Sequence, residues 1–130
     1  PANGGAGHPR LERRVRVAAY TQPGDPFAFD YGYGTNGVRG FLHAVALARE
    51  LDAAKILAYT TERVRARLAA EELSAEFTAV VEALPTEVPT EVGTQAGAQL
   101  SARILTEQEI RLVPVAALGP FAAQLRQRLS

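Results

Sequence analysis

The stretch FAFDYGYG, residues 27–34, is the best guide to the fold of this chain. Its four rings, Phe27, Phe29, Tyr31 and Tyr33, stand at every second position. Because side chains alternate between the two faces of a strand, this spacing predicts a β-strand with all four rings on one face. We expect this strand to pair with the segment before it.

Residues 11–21 precede this stretch and show the same period of two. One face of that segment would carry Val15, Val17 and Ala19, and the other Arg14, Arg16 and Ala18. The alternation predicts a first strand with one buried face. Two prolines and a glycine within residues 22–26 then end it, because they neither continue a ladder nor start a helix.

Helical spacing is the main signal in the middle of the chain. A helix is predicted to begin at Thr35 or Asn36, with apolar residues at Val38, Phe41, Leu42 and Val45. The short apolar run at 55–59 fits a buried third strand. A further helix is expected from Thr60 or Thr61, marked by Val64 and Leu68, with a restart at Ser74 marked by Phe77, Val80, Val81 and Leu84. Whether residues 61–84 form one helix or two stays open.

The tandem tetrapeptide Pro-Thr-Glu-Val occupies residues 85–92 and leads into a Gly- and Ala-rich segment. No core-forming pattern is visible across 85–99, which favours a long mobile loop, with a docking segment as the alternative. Residues 100–106 and 110–115 are then predicted as a hairpin that turns at 107–108. A last helix is expected from Gly119-Pro120, with Phe121, Leu125 and Leu129 facing inward.

The predicted order is therefore β-β-α-β-α-β-β-α. Alternating strands and helices favour an α/β fold in which helices cover a mixed sheet. We expect a flexible tail over 1–10 and a single α/β domain over 11–130.

Composition excludes several classes of protein. The formal net charge is zero, so no overall field draws the protein to nucleic acid or to anionic lipid. Cysteine is absent, which excludes disulfides and thiolate metal sites and agrees with a cytoplasmic location. No apolar run approaches the length of a membrane span, so no membrane association is expected. The arginine- and alanine-rich composition is typical of a GC-rich, bacterial genome.

Three short motifs between Tyr20 and Leu68 carry a resemblance to a known family. They are Tyr20-Thr21-Gln22, then Thr35-Asn36, and then Tyr59-Thr60-Thr61-Glu62. In their order and element type they resemble the ribonuclease H family, whose pattern is a strand with Tyr-Thr-Asp, Thr-Asn opening a helix, and a strand ending Thr-Asp-Ser. The resemblance implies a ribonuclease H-like fold in which Thr35 and Asn36 approach a nucleic-acid backbone.

The metal-binding carboxylates of that family are missing from this chain. Gln22, Gly40 and Thr61 stand at the matching positions, and hard divalent cations need anionic oxygen ligands. The resemblance therefore implies a domain without nuclease activity, and we expect no metal, no cofactor and no catalytic residue. His43 is expected to be a partly exposed helix residue rather than a base.

Two further groups of residues are candidates for binding. Arg13, Arg14 and Arg16 lie close together at the start of the first strand, where they would contact phosphates or guard a sheet edge against aggregation. A pocket near Tyr31, Tyr33 and Arg39 would suit a small molecule.

Three hypotheses stay open on function. The first is a non-catalytic ribonuclease H-like scaffold or weak nucleic-acid binder. The second is an interaction module that self-associates as a homodimer through the four-ring strand or the Phe77 helix and offers residues 85–92 to a partner. The third is a small-molecule enzyme.

Overall fold

The fold was analysed in a computed structural model, which describes residues 10–35, 37–85 and 92–129. The described residues form five strands, three α-helices and one short 3-10 helix. These are β1 (Arg10–Arg16), β2 (Ala28–Thr35), β3 (Val38–Val45), α1 (Leu51–Ala70), β4 (Ser74–Val81), α2 (Val92–Glu107), β5 (Ile110–Pro114), the 3-10 helix (Val115–Ala117) and α3 (Leu118–Leu129).

The five strands form one sheet in the order β1-β2-β3-β4-β5. β1, β2 and β3 are a meander of antiparallel neighbours, whereas β4 and β5 join β3 in parallel. Parallel neighbours need a crossover connection, which α1 and α2 supply. The predicted α/β class with a mixed sheet and covering helices is confirmed.

Three phenylalanines from neighbouring strands form the centre of the core. The rings of Phe29, Phe41 and Phe77 contact one another in a triangle, with centroid separations of 4.7, 5.3 and 5.9 Å. Apolar residues of α1 and α2 complete the same cluster, among them Leu57, Val64, Leu68, Ala98 and Leu105. The two crossover helices therefore cover the face of the sheet that carries these rings.

The helix predicted to begin at Thr35 or Asn36 is wrong, because Thr35 ends β2 and the apolar positions from Val38 to Val45 form β3. Gly37 adopts a positive φ of 77°, which suits a tight turn from β2 into β3. Phe41 and Val45 are both buried and four residues apart, so their spacing fits a helix as well as a strand. Gly37 therefore indicated the observed turn between two strands better than the apolar spacing indicated a helix.

The predicted strand at 55–59 and the predicted helix from Ser74 are also wrong, since these segments lie in α1 and β4. β4 is a central strand between β3 and β5, and both of its faces are largely covered. Such a strand shows no alternation, and its apolar run matches helical spacing by chance.

The predicted loop over 85–99 and the hairpin over 100–115 are replaced in part by α2. Residues 92–106 are helical, while residues 86–91 lie outside the described residues. The buried face of α2 carries Ala98, Ser101 and Leu105, two of which are small and gave a weak apolar signal. The strand at β5 and the final helix are confirmed, and the observed order is β-β-β-α-β-α-β-α.

No helix in the described ranges combines the length and apolar character needed to cross a bilayer.

The connection from β3 to α1 is held by carboxylates. Glu82, just after β4, accepts hydrogen bonds from the N–H groups of Leu47 at 2.8 Å and Ala48 at 3.0 Å. Partial burial acts to raise the pKa of Glu82, but these two hydrogen bonds and the nearby Arg49 guanidinium hold it below its usual value. Two neighbouring N–H groups bond to carboxylates in the same way, Ala44 to Asp30 and Ala46 to Glu50.

We expect Glu82→Gln to lower the free energy of unfolding at neutral pH by about 1 kcal/mol, because charge-assisted hydrogen bonds at a partly exposed site are lost. A carboxylate whose folded pKa lies below its unfolded value stabilises the fold above the unfolded value. That contribution disappears as the pH falls through the folded pKa, so the variant should lose less stability than the wild type on acidification. Urea titrations across acid and neutral pH measure both effects.

Glu62→Gln, on the exposed side of α1, is the matched control and should leave the stability at neutral pH unchanged. A Glu82→Gln variant with wild-type acid sensitivity would show that the carboxylate does not hold this connection.

Candidate functional site

Among the described residues, α3 is the helix that packs on the second face of the sheet, and a groove lies beside it. Phe41 and Leu42 are consecutive in β3 and so point to opposite faces. Phe41 lies in the core beneath α1 and α2, whereas Leu42 lines a cavity together with Leu118 and Phe121 of α3. The groove therefore lies between α3 and the antiparallel half of the sheet.

The groove has a volume of about 540 Å³. Its floor comes from three neighbouring strands and its wall from one side of α3. The floor residues are Leu11, Arg13, Tyr31, Tyr33 and Leu42, and the wall residues are Leu118, Phe121, Ala122, Leu125 and Arg126. Leu11 is 66% exposed and Tyr31 37% exposed, so the apolar floor is open to solvent.

The four rings of residues 27–34 do not share one face, which corrects the sequence prediction. Phe29 packs in the core against Phe41 at 4.7 Å, whereas Tyr31 and Tyr33 line the groove on the other side. The regular β2–β3 pairing ends at Tyr31, and the Asp30 carboxylate accepts the hydrogen bond of Ala44 N–H at 2.9 Å. Because the ladder is interrupted at this point, rings that alternate regularly in the sequence lie on both faces of the sheet.

β1 carries a matching irregularity at Arg14. Its φ of 52° lies in the left-handed region, and the β1–β2 register passes from the Arg13–Tyr31 pair to the Val15–Phe29 pair without including it. Irregularities of this kind re-aim side chains. Here Arg13 and Arg14, although consecutive, both line a second cavity of about 540 Å³ at the end of the groove.

His43 lies beside this end of the groove but packs toward the core. Its ring is 4.8 Å from that of Phe27, and its Nδ1 is 3.5 Å from Asp30 Oδ2. Burial lowers the pKa of His43, and the nearby carboxylates of Asp30 and Glu50 offset this only in part. The imidazole is therefore largely neutral at neutral pH. Its ring packs against Phe27 where the regular β2–β3 pairing ends.

The opposite end of the groove is polar. The ring of Tyr33 lies directly over Gly40, and its hydroxyl donates a hydrogen bond of 2.9 Å to Glu76. A cavity of about 370 Å³ opens next to this pair and is also lined by Thr78 and Arg111. The apolar groove thus has an arginine-lined end and a mixed polar end.

The predicted nucleic-acid residues are only partly brought together. Arg13, Arg14 and Arg16 are all exposed on β1, as predicted for a basic edge. Thr35 ends β2 instead of opening a helix, and Asn36 lies outside the described residues.

The predicted pocket is partly formed. Tyr31 and Tyr33 line the groove, but Arg39 does not. The Cδ atom of Arg39 packs close to Gly34, and its Nη2 lies 3.7 Å from Glu12 Oε1. Arg39 therefore links β3 to β1 through an ion pair across the antiparallel strands.

The positions that match the carboxylates of ribonuclease H do not converge. Gly40 faces Tyr33 on the groove side, whereas Thr61 is fully buried in α1 on the other face. Within the described ranges, no three His, Asp or Glu side chains are grouped so as to hold a metal ion. The ribonuclease H-like order of elements is not confirmed, and the resemblance itself stays a prediction.

Comparisons with known proteins do not assign the groove a role. No family model, no curated protein and no solved structure matches this chain. Its function is therefore argued from the shape, lining and charge of the groove.

Sequence reasoning missed Leu42, Leu118 and Ala122 as groove residues. Leu42 was assigned to a helix, so its place on a strand face could not be predicted. The apolar positions Phe121 and Leu125 of α3 were the available signal, because they mark the side of the helix that faces the sheet.

We expect Gly40→Ala to destabilise the protein by about 1–3 kcal/mol, because the added methyl group overlaps the ring of Tyr33 and forces it to move. Thermal and urea unfolding measure the loss. Combining it with Tyr33→Leu should cost less than the sum of the two single changes, since the overlap is then removed.

Gly119→Ala in α3 is the matched control, because a methyl group there meets no other atom within 4 Å. Additive losses in the double variant would argue against the contact between Tyr33 and Gly40.

Proposed function

We propose that the protein is a non-enzymatic interaction module that binds a peptide segment of a partner protein in the groove between α3 and β1–β3. The observation that carries the proposal is the open apolar floor. Leu11, Tyr31 and Leu42 from three adjacent strands lie along one groove, with Leu118 and Leu125 of α3 beside them. Contiguous exposed apolar surface with a charged rim is typical of a protein-binding site.

The lining supports binding more than chemistry. Leucine, tyrosine, phenylalanine and alanine make up most of it, and the charged groups are arginines, which do not titrate near neutral pH. General acid–base catalysis needs a titrating group aimed at the substrate. His43 lines the cavity at the end of the groove, but its ring packs 4.8 Å from that of Phe27 and it does not line the groove itself, so the groove favours a binding role over a small-molecule enzyme.

The elements first suggested for self-association offer little surface. Phe77 is in β4 and is 3% exposed, and Phe29 is 1% exposed. Of the four rings of residues 27–34, Tyr31 is the one with substantial exposure, and it belongs to the groove. The interaction surface therefore moves from the ring strand and the Phe77 segment to the groove.

The groove can be tested by filling it. We expect Ala122→Trp to abolish binding of peptides selected from a displayed random library against the full chain, because Ala122 lines the groove and an indole would occupy its space. Ala123→Trp is the matched control, since the neighbouring position is exposed outside the groove. Binding of each selected peptide to both variants is measured by fluorescence anisotropy.

At least a tenfold loss of affinity in Ala122→Trp, with Ala123→Trp unchanged, supports the groove. Peptides that bind both variants equally, or a library that yields no binder, would contradict the proposed function.

A second candidate function is weak binding of single-stranded nucleic acid along β1. It is favoured by the exposure of Arg13, Arg14 and Arg16 on one edge strand, where each can reach a phosphate. Tyr31 next to them offers a ring on which a base can stack.

If three phosphates are contacted, the affinity for a labelled single-stranded oligonucleotide should fall with salt with a log–log slope of about −2. Changing all three arginines to Gln should remove most of the binding and of that slope. Binding that is unchanged in this triple variant would exclude β1 as the nucleic-acid surface.

A further inference from the structure

We infer that the segment bound in the groove is an acidic amphipathic α-helix that packs beside α3. This inference rests on the proposed function and specifies the chemistry of the partner. Three independent features of the groove point to it: the width of sheet left uncovered, the pattern of apolar residues and the sign of the charges at its rim.

The uncovered part of the sheet has room for one more helix. Five strands spaced about 4.8 Å apart make a sheet roughly 24 Å wide, and a helix with its side chains is about 10–12 Å wide, so one face holds two helices side by side. α3 is anchored toward β5, where the Arg111 guanidinium lies 5.1 Å from the Phe121 ring. The width left over β1 and β2 therefore matches one further helix.

The apolar residues are placed to receive a helical stripe. Leu11, Tyr31 and Leu42 form a floor across three strands, while Leu118 and Leu125, seven residues apart on α3, form a wall along it. A helix with apolar residues at i, i+3 or i+4 and i+7 presents a stripe of this length. Floor and wall together would contact two sides of such a stripe.

The arginines at the edge of the groove, which we call its rim, favour an acidic partner. Arg13 and Arg14 lie at one end of the groove, and Arg126 lies on its α3 side. Asp30 also lines that end and keeps its negative charge, so two arginines face one carboxylate there and the local balance stays positive. Charge complementarity at a rim steers encounter and discriminates between partners, so acidic side chains flanking the stripe are favoured.

The same charges disfavour two other occupants. In a second copy of the chain, α3 has two arginines and no acidic residue, and β1 has four arginines and one Glu, so like charges would meet. An extended peptide that adds a strand beside β1 would meet the irregularity at Arg14, which interrupts a continuous edge.

The experiment uses two labelled 18-residue synthetic peptides with blocked ends and an identical leucine stripe at i, i+3, i+4 and i+7. One carries Glu on both sides of the stripe and the other Lys. Their affinities for the full chain are measured by fluorescence anisotropy at low and moderate salt. We expect the Glu peptide to bind at least tenfold more tightly, with an affinity that falls as salt rises.

The decisive variant is Arg13→Glu/Arg14→Glu, which should reverse the preference and make the Lys peptide the tighter binder. The control Arg63→Glu/Arg103→Glu makes the same change in net charge at exposed positions of α1 and α2, on the other face, and should keep the original preference. Ala122→Trp should abolish binding of either peptide. Circular dichroism of each variant verifies that the fold is retained.

Equal affinity for the two peptides, or a preference that follows net charge in both double variants, would overturn the acidic-helix assignment. So would library peptides that are sensitive to Ala122→Trp but are neither helical nor acidic, and in that case the proposed function stands. A dimer in sedimentation that Ala122→Trp dissociates would place a second copy in the groove and also overturn it. The acidic-helix inference and the proposed function would both be rejected only if neither the library peptides nor the designed peptides bind the groove.

Discussion

The hydrogen bond from Ala44 N–H to the Asp30 carboxylate marks the point on which the two faces of the sheet depend. A regular ladder between β2 and β3 would keep all four rings of residues 27–34 on one side. At Asp30 the side-chain carboxylate, and not a backbone carbonyl, accepts the Ala44 N–H, so the ladder is interrupted there. Phe29 can then join Phe41 and Phe77 in the core. Tyr31 and Tyr33 then become available to the opposite face.

The two faces of the sheet consequently differ in how far helices cover them. One is sealed by α1 and α2 over a core of phenylalanine, leucine and valine, and burial of this kind supplies most of the stability of a domain of this size. In the described part of the chain the other carries one 12-residue helix, and an apolar floor beside it is exposed at a cost in stability. The irregularities at Asp30 and Arg14 bring the tyrosines and the arginines to the groove and to the cavity at its end, so the least regular part of the sheet forms the proposed binding surface.

The sequence predicted the parts of this structure whose signals are local. The alternation in residues 11–21 and 27–34, the apolar run at 110–115 and the Gly119-Pro120 pair were sufficient to place two paired strands, a strand at β5 although not its partner, and the last helix. β3 and β4 were predicted as helices because Phe41 and Val45, like Phe77 and Val81, are four residues apart and fit both periods. α2 was missed because its buried side chains are mostly small. The grouping of Tyr31 with Tyr33 was predictable, but the grouping of Arg13 with Arg14 depends on a backbone angle that alternation alone does not indicate.

The tyrosines of the groove give the molecule a built-in optical reporter. The chain has no tryptophan and four tyrosines, and two of those four, Tyr31 and Tyr33, line the groove. Intrinsic fluorescence therefore comes from phenol rings alone, and half of these rings border the binding surface. A ligand that lacks tryptophan and tyrosine would change the emission of the protein directly, without any label, when it excludes water from the ring of Tyr31.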